Sequence, residues 1–251
     1  MFRIPFLFLF LLNLLFLILF LSLLLKYLVN ILGADHTGYI KRITAAVSAL
    51  SNGKVKLNCK VCQLVKLYKK GIPFKMSKRA GYFISVQDLL NEVNKDSVRF
   101  MMLNRSNDIE LDFDFDKIKE KTKDNPVFYV QYAFARINSL LRTLDKKLHD
   151  KINLNEQDLN FNNIEEKIIR KVYEWPKIIE STSKKFELHK IPFYLYEVST
   201  LFHAYWSKGN EDKNYKFITN GKIERPSVLI IMNLILIVLK SGMKILNVAV
   251  T

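Results

Sequence analysis

Lys75 and Lys78 flank two residues in the run Lys75-Met76-Ser77-Lys78-Arg79, which leads into Ala80 and Gly81. Two ammonium groups at that spacing on a short loop can reach the phosphates of a nucleoside triphosphate as they separate. Positive charge placed where negative charge develops lowers a barrier. Read alone, the run is also compatible with an ordinary solvated basic loop, because short motifs recur by chance. A second candidate is the turn Gly33-Ala34-Asp35-His36-Thr37-Gly38-Tyr39. Asp35 stands at the expected cap of a helix, whose N-terminal dipole favours anions. His36 by itself reads as a capping or core histidine. Asp112, Asp114 and Asp116 alternate with Leu111, Phe113 and Phe115, so they read as the wet face of a strand rather than as metal ligands. Cys59 and Cys62 form a lone CxxC, and His36, His149, His189 and His203 are scattered. A structural zinc site needs four ligands, so no metal is expected. With two cysteines there is no disulfide framework, and a reducing compartment is the default.

The elements that must hold these residues follow from periodicity. Leu28–Leu32 is a short apolar strand, followed by the Gly33 turn and a helix from about Thr37 to Leu50, the pattern of a Rossmann-like half. Val61–Leu67 reads as a second strand and Lys69-Lys70-Gly71 as a hairpin-like turn before the lysine loop, with Gly81 as its hinge. Helices are expected over Val86–Val93 and Val98–Leu103. Asp124 is the expected cap of a long helix with Pro126 in its first turn. Val127, Val130, Phe134, Ile137, Leu141, Leu144 and Leu148 then recur at threes and fours, an apolar stripe. Gln131, Arg136 and Arg142 lie off that stripe. Residues 150–163 read as a polar loop, Ile164–Leu188 and Phe193–Trp206 as amphipathic helices, and Pro226 as the start of a last apolar helix. Tyr194, Tyr196, Phe202, Tyr205 and Trp206 sit at helical spacing, which suits core packing and also stacking on unpaired bases.

The 251 residues carry a net charge of +15. Arg3 and Lys26 are the only charged residues in 1–26, so 37 of the 39 basic groups and all 24 acids lie beyond. Such an excess suits a polyanion such as RNA, or a membrane surface. Residues Ile4–Leu25 are almost unbroken Leu, Phe and Ile, interrupted by Pro5, Asn13 and Ser22. That length is sufficient for a bilayer span, and no small-residue cleavage site follows it.

The lysine run, the Gly33–Tyr39 turn and the segment Asp124-Asn125-Pro126-Val127-Phe128-Tyr129-Val130-Gln131-Tyr132-Ala133, continuing through Arg136, together resemble the second half of a bacterial arginyl-tRNA synthetase. The lysine run resembles the KMSKS loop of the class I aminoacyl-tRNA synthetases. The resemblance covers about Leu28 to the end. It implies a mainly α fold: a truncated Rossmann-like catalytic remnant over 27–118 carrying the loop, then an all-α anticodon-binding bundle over 119–251. It implies ATP with Mg as substrate and no tightly bound cofactor, with Lys75 and Lys78 stabilising the leaving pyrophosphate and Gly33, Asp35, His36, Met76 and Ser77 as ATP neighbours. It implies tRNA as partner, with Gln131, Arg136 and Arg142 on RNA phosphate and Tyr205 in anticodon recognition. A monomer in the cytoplasm is expected.

Tyr82 and Phe134 stand where the family has Asn and His. No HIGH-type motif occurs, and nothing matches the family's arginine-gripping residues, so the chain alone is expected to be inactive and a separate N-terminal half would be needed. The chain stops at Thr251, a few residues before the family usually ends and near the anticodon pocket, so weak preference among tRNAs is expected. Residues 1–26 have no family counterpart and read as out-of-frame sequence or as a membrane anchor. The alternative function is a non-catalytic tRNA-binding or membrane-tethered fragment, or a decayed gene product.

Overall fold

The computed structural model describes residues 27–74, 84–144, 160–219 and 222–250. The apolar segment 4–25 and the lysine loop from Lys75 to Arg79 lie outside the described residues. Contacts divide the chain into two units, one comprising residues up to Val65 with Asn107–Leu111, the other Lys66–Ser106 with Asp112–Thr251.

The first unit is a strand–helix–strand motif. Strand β1 (Tyr27–Gly33) runs into a 3-10 turn (Ala34–Tyr39) and helix α1 (Ile40–Leu50), and β2 (Lys56–Cys62) returns parallel to β1 in the register Tyr27↔Lys56 to Gly33↔Cys62. The strand and helix match the sequence expectation. Asp35 does not cap: Gly33 precedes the 3-10 turn without a side-chain hydrogen bond. The single strand expected over Val61–Leu67 is two, β2 and β3 (Val65–Lys69). The interruption is held by Gln63 N–H donating to the Asn107 carbonyl and Leu64 carbonyl accepting from Leu111 N–H.

In the second unit β3 lies between β4 (Ile72–Pro73) and β5 (Leu111–Asp114). The β3–β4 hairpin pairs Lys69 with Ile72 across Lys70-Gly71, both at positive φ, the geometry of the primed two-residue turns. Lys69 Nζ meets Glu92 Oε1 at 2.7 Å, tying the hairpin before the loop to helix α2 (Val86–Glu92) after it. The acids of β5 alternate as expected: Leu111, Phe113 and Phe115 are buried. Helix α3 (Lys95–Leu103) is capped by Asn94, and α4 (Phe115–Lys119) by Asp114.

The bundle comprises α5 (Pro126–Thr143), α6 (Asn163–Tyr173), α7 (Trp175–Lys185), α8 (Lys190–Glu211) and α9 (Pro226–Leu246), with a hairpin of β6 (Ile218–Thr219) and β7 (Lys222–Ile223) before α9. The cap of α5 is Asn125 rather than Asp124; its side chain accepts from Phe128 N–H. Of the expected stripe, Val127, Val130 and Ile137 are buried on α5, joined by Ala133, while Phe134 and Leu141 are half-buried; the helix ends at Thr143, and Leu148 lies outside the described residues. The helix expected over Ile164–Leu188 breaks at Glu174, where Trp175-Pro176 begins a new one, as a proline near a helix start dictates. Among the described residues α9 is long and apolar enough to cross a membrane, but half of its apolar window is buried; it packs as the central helix through Val228, Ile231, Met232, Ile235 and Leu239. Phe100 of α3 joins this same core, so the compact unit reaches back to Lys66, well before Lys119.

The end of α9 is fixed over long sequence distances. Asn247 takes the left-handed conformation, and Val248 N–H returns to the Met243 carbonyl, a cap that turns the chain back on the helix. Arg99 Nε donates to the Leu246 carbonyl, Ala249 N–H donates to Asp96 Oδ2 at 3.1 Å, and Gln131 Nε2 donates to the Ala249 carbonyl at 3.0 Å.

Candidate nucleic-acid interface

Helices α5 and α8 carry a row of rings that local spacing builds. Phe128, Tyr132 and Arg136 stand four residues apart on α5 and therefore share one face. Phe128 stacks on Tyr132 with centroids 5.5 Å apart and planes 10° from parallel. Across the helix pair, His203 of α8 stacks on Tyr132 at 5.3 Å and lies against Tyr129 at 4.3 Å with the planes tilted by 37°. Its Nε2–H reaches the Tyr129 carbonyl at 3.2 Å. Burial lowers the His203 pKa, so the ring is neutral near pH 7 and Nε2 carries the proton as donor.

Arg136 closes the row. Its guanidinium carbon lies 4.4 Å from the Tyr132 ring centroid and 5.1 Å from that of Trp206, and Nη2 donates to the Tyr132 hydroxyl. Arginine stacked between two rings is held in one orientation with a charge left facing outward. Beyond Trp206 lies an open pocket of about 210 Å³, lined by Leu140, Trp206, Gly209, Asn210, Lys216, Phe217 and Ile218. Phe217 meets Trp206 edge to face at 5.5 Å. A Cβ on Gly209 would stand 2.7 Å from the Tyr215 carbonyl oxygen, so only glycine lets the chain after α8 approach this closely. The pocket is smaller than the roughly 300–1,000 Å³ of drug-sized sites, which suits a single planar ring.

The sequence-derived candidates fare differently. Arg136 stands at the centre of the row. Arg142 is exposed in the last turn of α5. Gln131 faces the chain's last residues, its amide committed to Ala249. Tyr205 corrects its expected role: it is fully buried. Its hydroxyl donates to Glu165 and accepts from Arg225 Nη2 at 2.6 Å, and burial raises its pKa. That ring is core, and no base can reach it. Half-buried Trp206, one residue on, presents the accessible aromatic face. The sequence gives Tyr132 and His203 no binding role; the Phe128-Tyr132-Arg136 spacing is the available signal for the first.

In the first unit Asp35 and His36 are exposed at the end of β1, with His36 Nε2 3.5 Å from Asp35 Oδ2. Gly33 lies against Asp35, and a Cβ there would meet Asp35 Oδ1 at 2.6 Å. Lys75, Met76, Ser77 and Lys78 lie outside the described residues. No group of three or more metal-ligating side chains occurs among the described residues. Cys59 is partly buried, which raises its thiol pKa, and Cys62 is exposed.

Comparison with known proteins adds the following. Residues 130–251 match the family described as DALR anticodon binding domain. The arginine–tRNA ligase of Pelagibacter ubique is 54% identical over 221 residues, 88% of this chain and 38% of that protein. That of Ruegeria pomeroyi is 46% identical over 226 residues, 88% of this chain and 39% of that protein. A Campylobacter jejuni crystal structure assigned as an arginyl-tRNA synthetase superposes with a TM-score of 0.75 at 27% identity, covering 89% of this chain and 47% of its own. The chain thus spans about two fifths of the length of the curated relatives it matches.

Proposed function

We propose that this chain, which belongs to the arginyl-tRNA synthetase family as its C-terminal part, binds tRNA through the α5–α8 face. The observation that carries the reading is Arg136, held against Tyr132 and against Trp206, a ring that itself lines the pocket. A stacked guanidinium offers charge to phosphate. The adjoining ring and pocket offer an apolar face to an unpaired base. The net charge of +15 adds attraction to any RNA, which weakens steeply with salt.

The activity of the family, ATP-dependent attachment of arginine to its tRNA in the cytoplasm, is the process this face serves. ATP arrives with Mg as substrate. In that reaction Lys75 and Lys78 neutralise the leaving pyrophosphate, Met76 and Ser77 are neighbours of ATP, and Gly33, Asp35 and His36 border the adenosine. Catalysis by proximity requires both substrates to be positioned together, and nothing in this sequence matches the family's arginine-gripping residues. The purified monomeric chain is therefore expected to form no arginyl-tRNA above a no-enzyme control; charging by the chain alone would overturn this reading.

Filter binding of tRNA at two salt concentrations tests the binding face. Arg136→Ala and Trp206→Ala are each expected to weaken binding about tenfold, within the ~1–3 kcal/mol that stacking on one base contributes. Trp206→Phe should retain most of the affinity. Arg136→Ala should also lower the salt slope by about one. Unchanged affinity in both alanine variants removes the α5–α8 face as the interface.

A further inference from the structure

Tyr132 is shared by every other member of the α5 row. Its ring meets that of Phe128 with planes 10° apart and that of His203 with planes 19° apart, and the Arg136 guanidinium carbon lies 4.4 Å from its centroid. Arg136 depends on this ring twice, through its face and through the hydroxyl that accepts from Nη2. Phe128 and Arg136 stand on α5 with Tyr132 and are carried by the same backbone. Tyr132 is 39% exposed, and an exposed side chain keeps its rotamer freedom unless a contact from outside its own helix restricts it. Among the described rings that meet Tyr132, His203 is the one from another helix.

His203 is itself firmly held. It is buried, beside the fully buried Phe202. Its Nε2–H reaches the Tyr129 carbonyl at 3.2 Å, and the rings of Tyr129 and Phe202 flank it at 4.3 and 5.4 Å. The Tyr129 carbonyl lies inside α5, where the helical ladder already supplies a donor, so this bond serves the histidine ring rather than the backbone. Burying an imidazole costs desolvation that an aliphatic side chain would not incur; what the imidazole adds is a flat ring in a fixed plane. Burial keeps it neutral, so it lies against Tyr132 without adding a charge beside Arg136. We propose that His203 is a positioning residue for RNA binding: its ring fixes the plane of Tyr132 and, through Tyr132, the direction in which Arg136 presents its charge. The proposal rests on the α5–α8 face being the tRNA interface. His203, being buried, acts only through the two side chains in front of it. A guanidinium already held in one orientation gives up less freedom when it meets a phosphate.

The test is a double-mutant cycle read by filter binding of tRNA to the full chain. His203→Ala should weaken binding about fivefold, and in an Arg136→Ala background it should weaken binding no further, the signature of two residues acting as one unit. His203→Phe keeps a flat ring against Tyr132 and should stay within about twofold of the parent chain. His203→Gln keeps a donor for the Tyr129 carbonyl and no ring, and should match the alanine variant. Urea midpoints establish that each variant is folded in the assay; where the alanine variant is not, the glutamine and phenylalanine variants carry the same cycle. A loss that persists in full in the Arg136→Ala background is a general loosening of the fold and overturns the proposal. So does rescue by glutamine and not by phenylalanine. The outcomes also separate this role from the interface beneath it. If Arg136→Ala weakens binding and His203→Ala does not, the interface stands and the positioning role falls. If neither Arg136→Ala nor Trp206→Ala weakens binding, both fall.

Discussion

Glu165→Ala is expected to destabilise the bundle by about 3 kcal/mol, the lower end of the ~3–5 kcal/mol for breaking a buried ion pair by removing one partner. Glu165 has no exposed surface. One carboxylate oxygen accepts from the Tyr205 hydroxyl, from Arg225 Nη2 at 2.9 Å and from Ser227 Oγ at 3.1 Å; the other accepts from Asn162 N–H at 2.9 Å. The last bond completes a capping box at the start of α6. Alanine leaves a buried hydroxyl, a buried serine and a guanidinium without their acceptor. The estimate stays at the low end because the Arg225 side chain is 29% exposed and can recover part of its hydration. Glu165→Gln keeps an acceptor and should cost less, about 1–3 kcal/mol. Urea unfolding midpoints measure both. A cost below about 1 kcal/mol for the alanine variant would mean that the network is dispensable.

Phe100→Ala is expected to cost about 3–5 kcal/mol, the range for truncating a buried phenylalanine. Phe100 is fully buried in the bundle core, and half-buried Leu103 of the same helix packs against that core. The effect should be local as well as global. Asp96 and Arg99 on the same helix hold Ala249 and Leu246, so loosening α3 should speed amide exchange over residues 247–250 before the rest of α9. Equal change throughout α9 would show that the tail is not fixed by α3. Arg99→Ala, which removes one hydrogen bond and leaves the core intact, should shift the midpoint by less than Phe100→Ala.

Much of the architecture is written in local pattern. The stripe on α5, the Lys70-Gly71 turn and the alternation in β5 each follow from residues within a few positions of one another, and each occurs where the periodicity puts it. The misplacements share a physical cause: contacts with distant residues. The gap between β2 and β3 is held by Asn107 and Leu111, more than forty residues away and invisible to a window over Val61–Leu67. Tyr205 and Trp206 are neighbours in sequence with the same propensity, and Glu165 and Arg225 decide that the first is core. Arg136 was legible as an off-stripe cation. Its partner Tyr132, four residues earlier on the same helix, was within reach of local spacing; Trp206 was not, because it arrives on another helix. Lys75 and Lys78 stand on sequence alone.

The pinned end of α9 has a consequence for synthesis. Arg99 and Leu246 are 147 residues apart, and Asp96 and Ala249 are 153. At roughly 5–20 residues per second on the ribosome, α3 emerges some 8–30 s before the segment it must grip. During that interval Phe100 can meet α5 but lacks the α9 side of its core. Closure of this part of the fold therefore waits for Leu246 and Ala249 to emerge, and slow codons between the two segments would lengthen the exposure rather than help the fold.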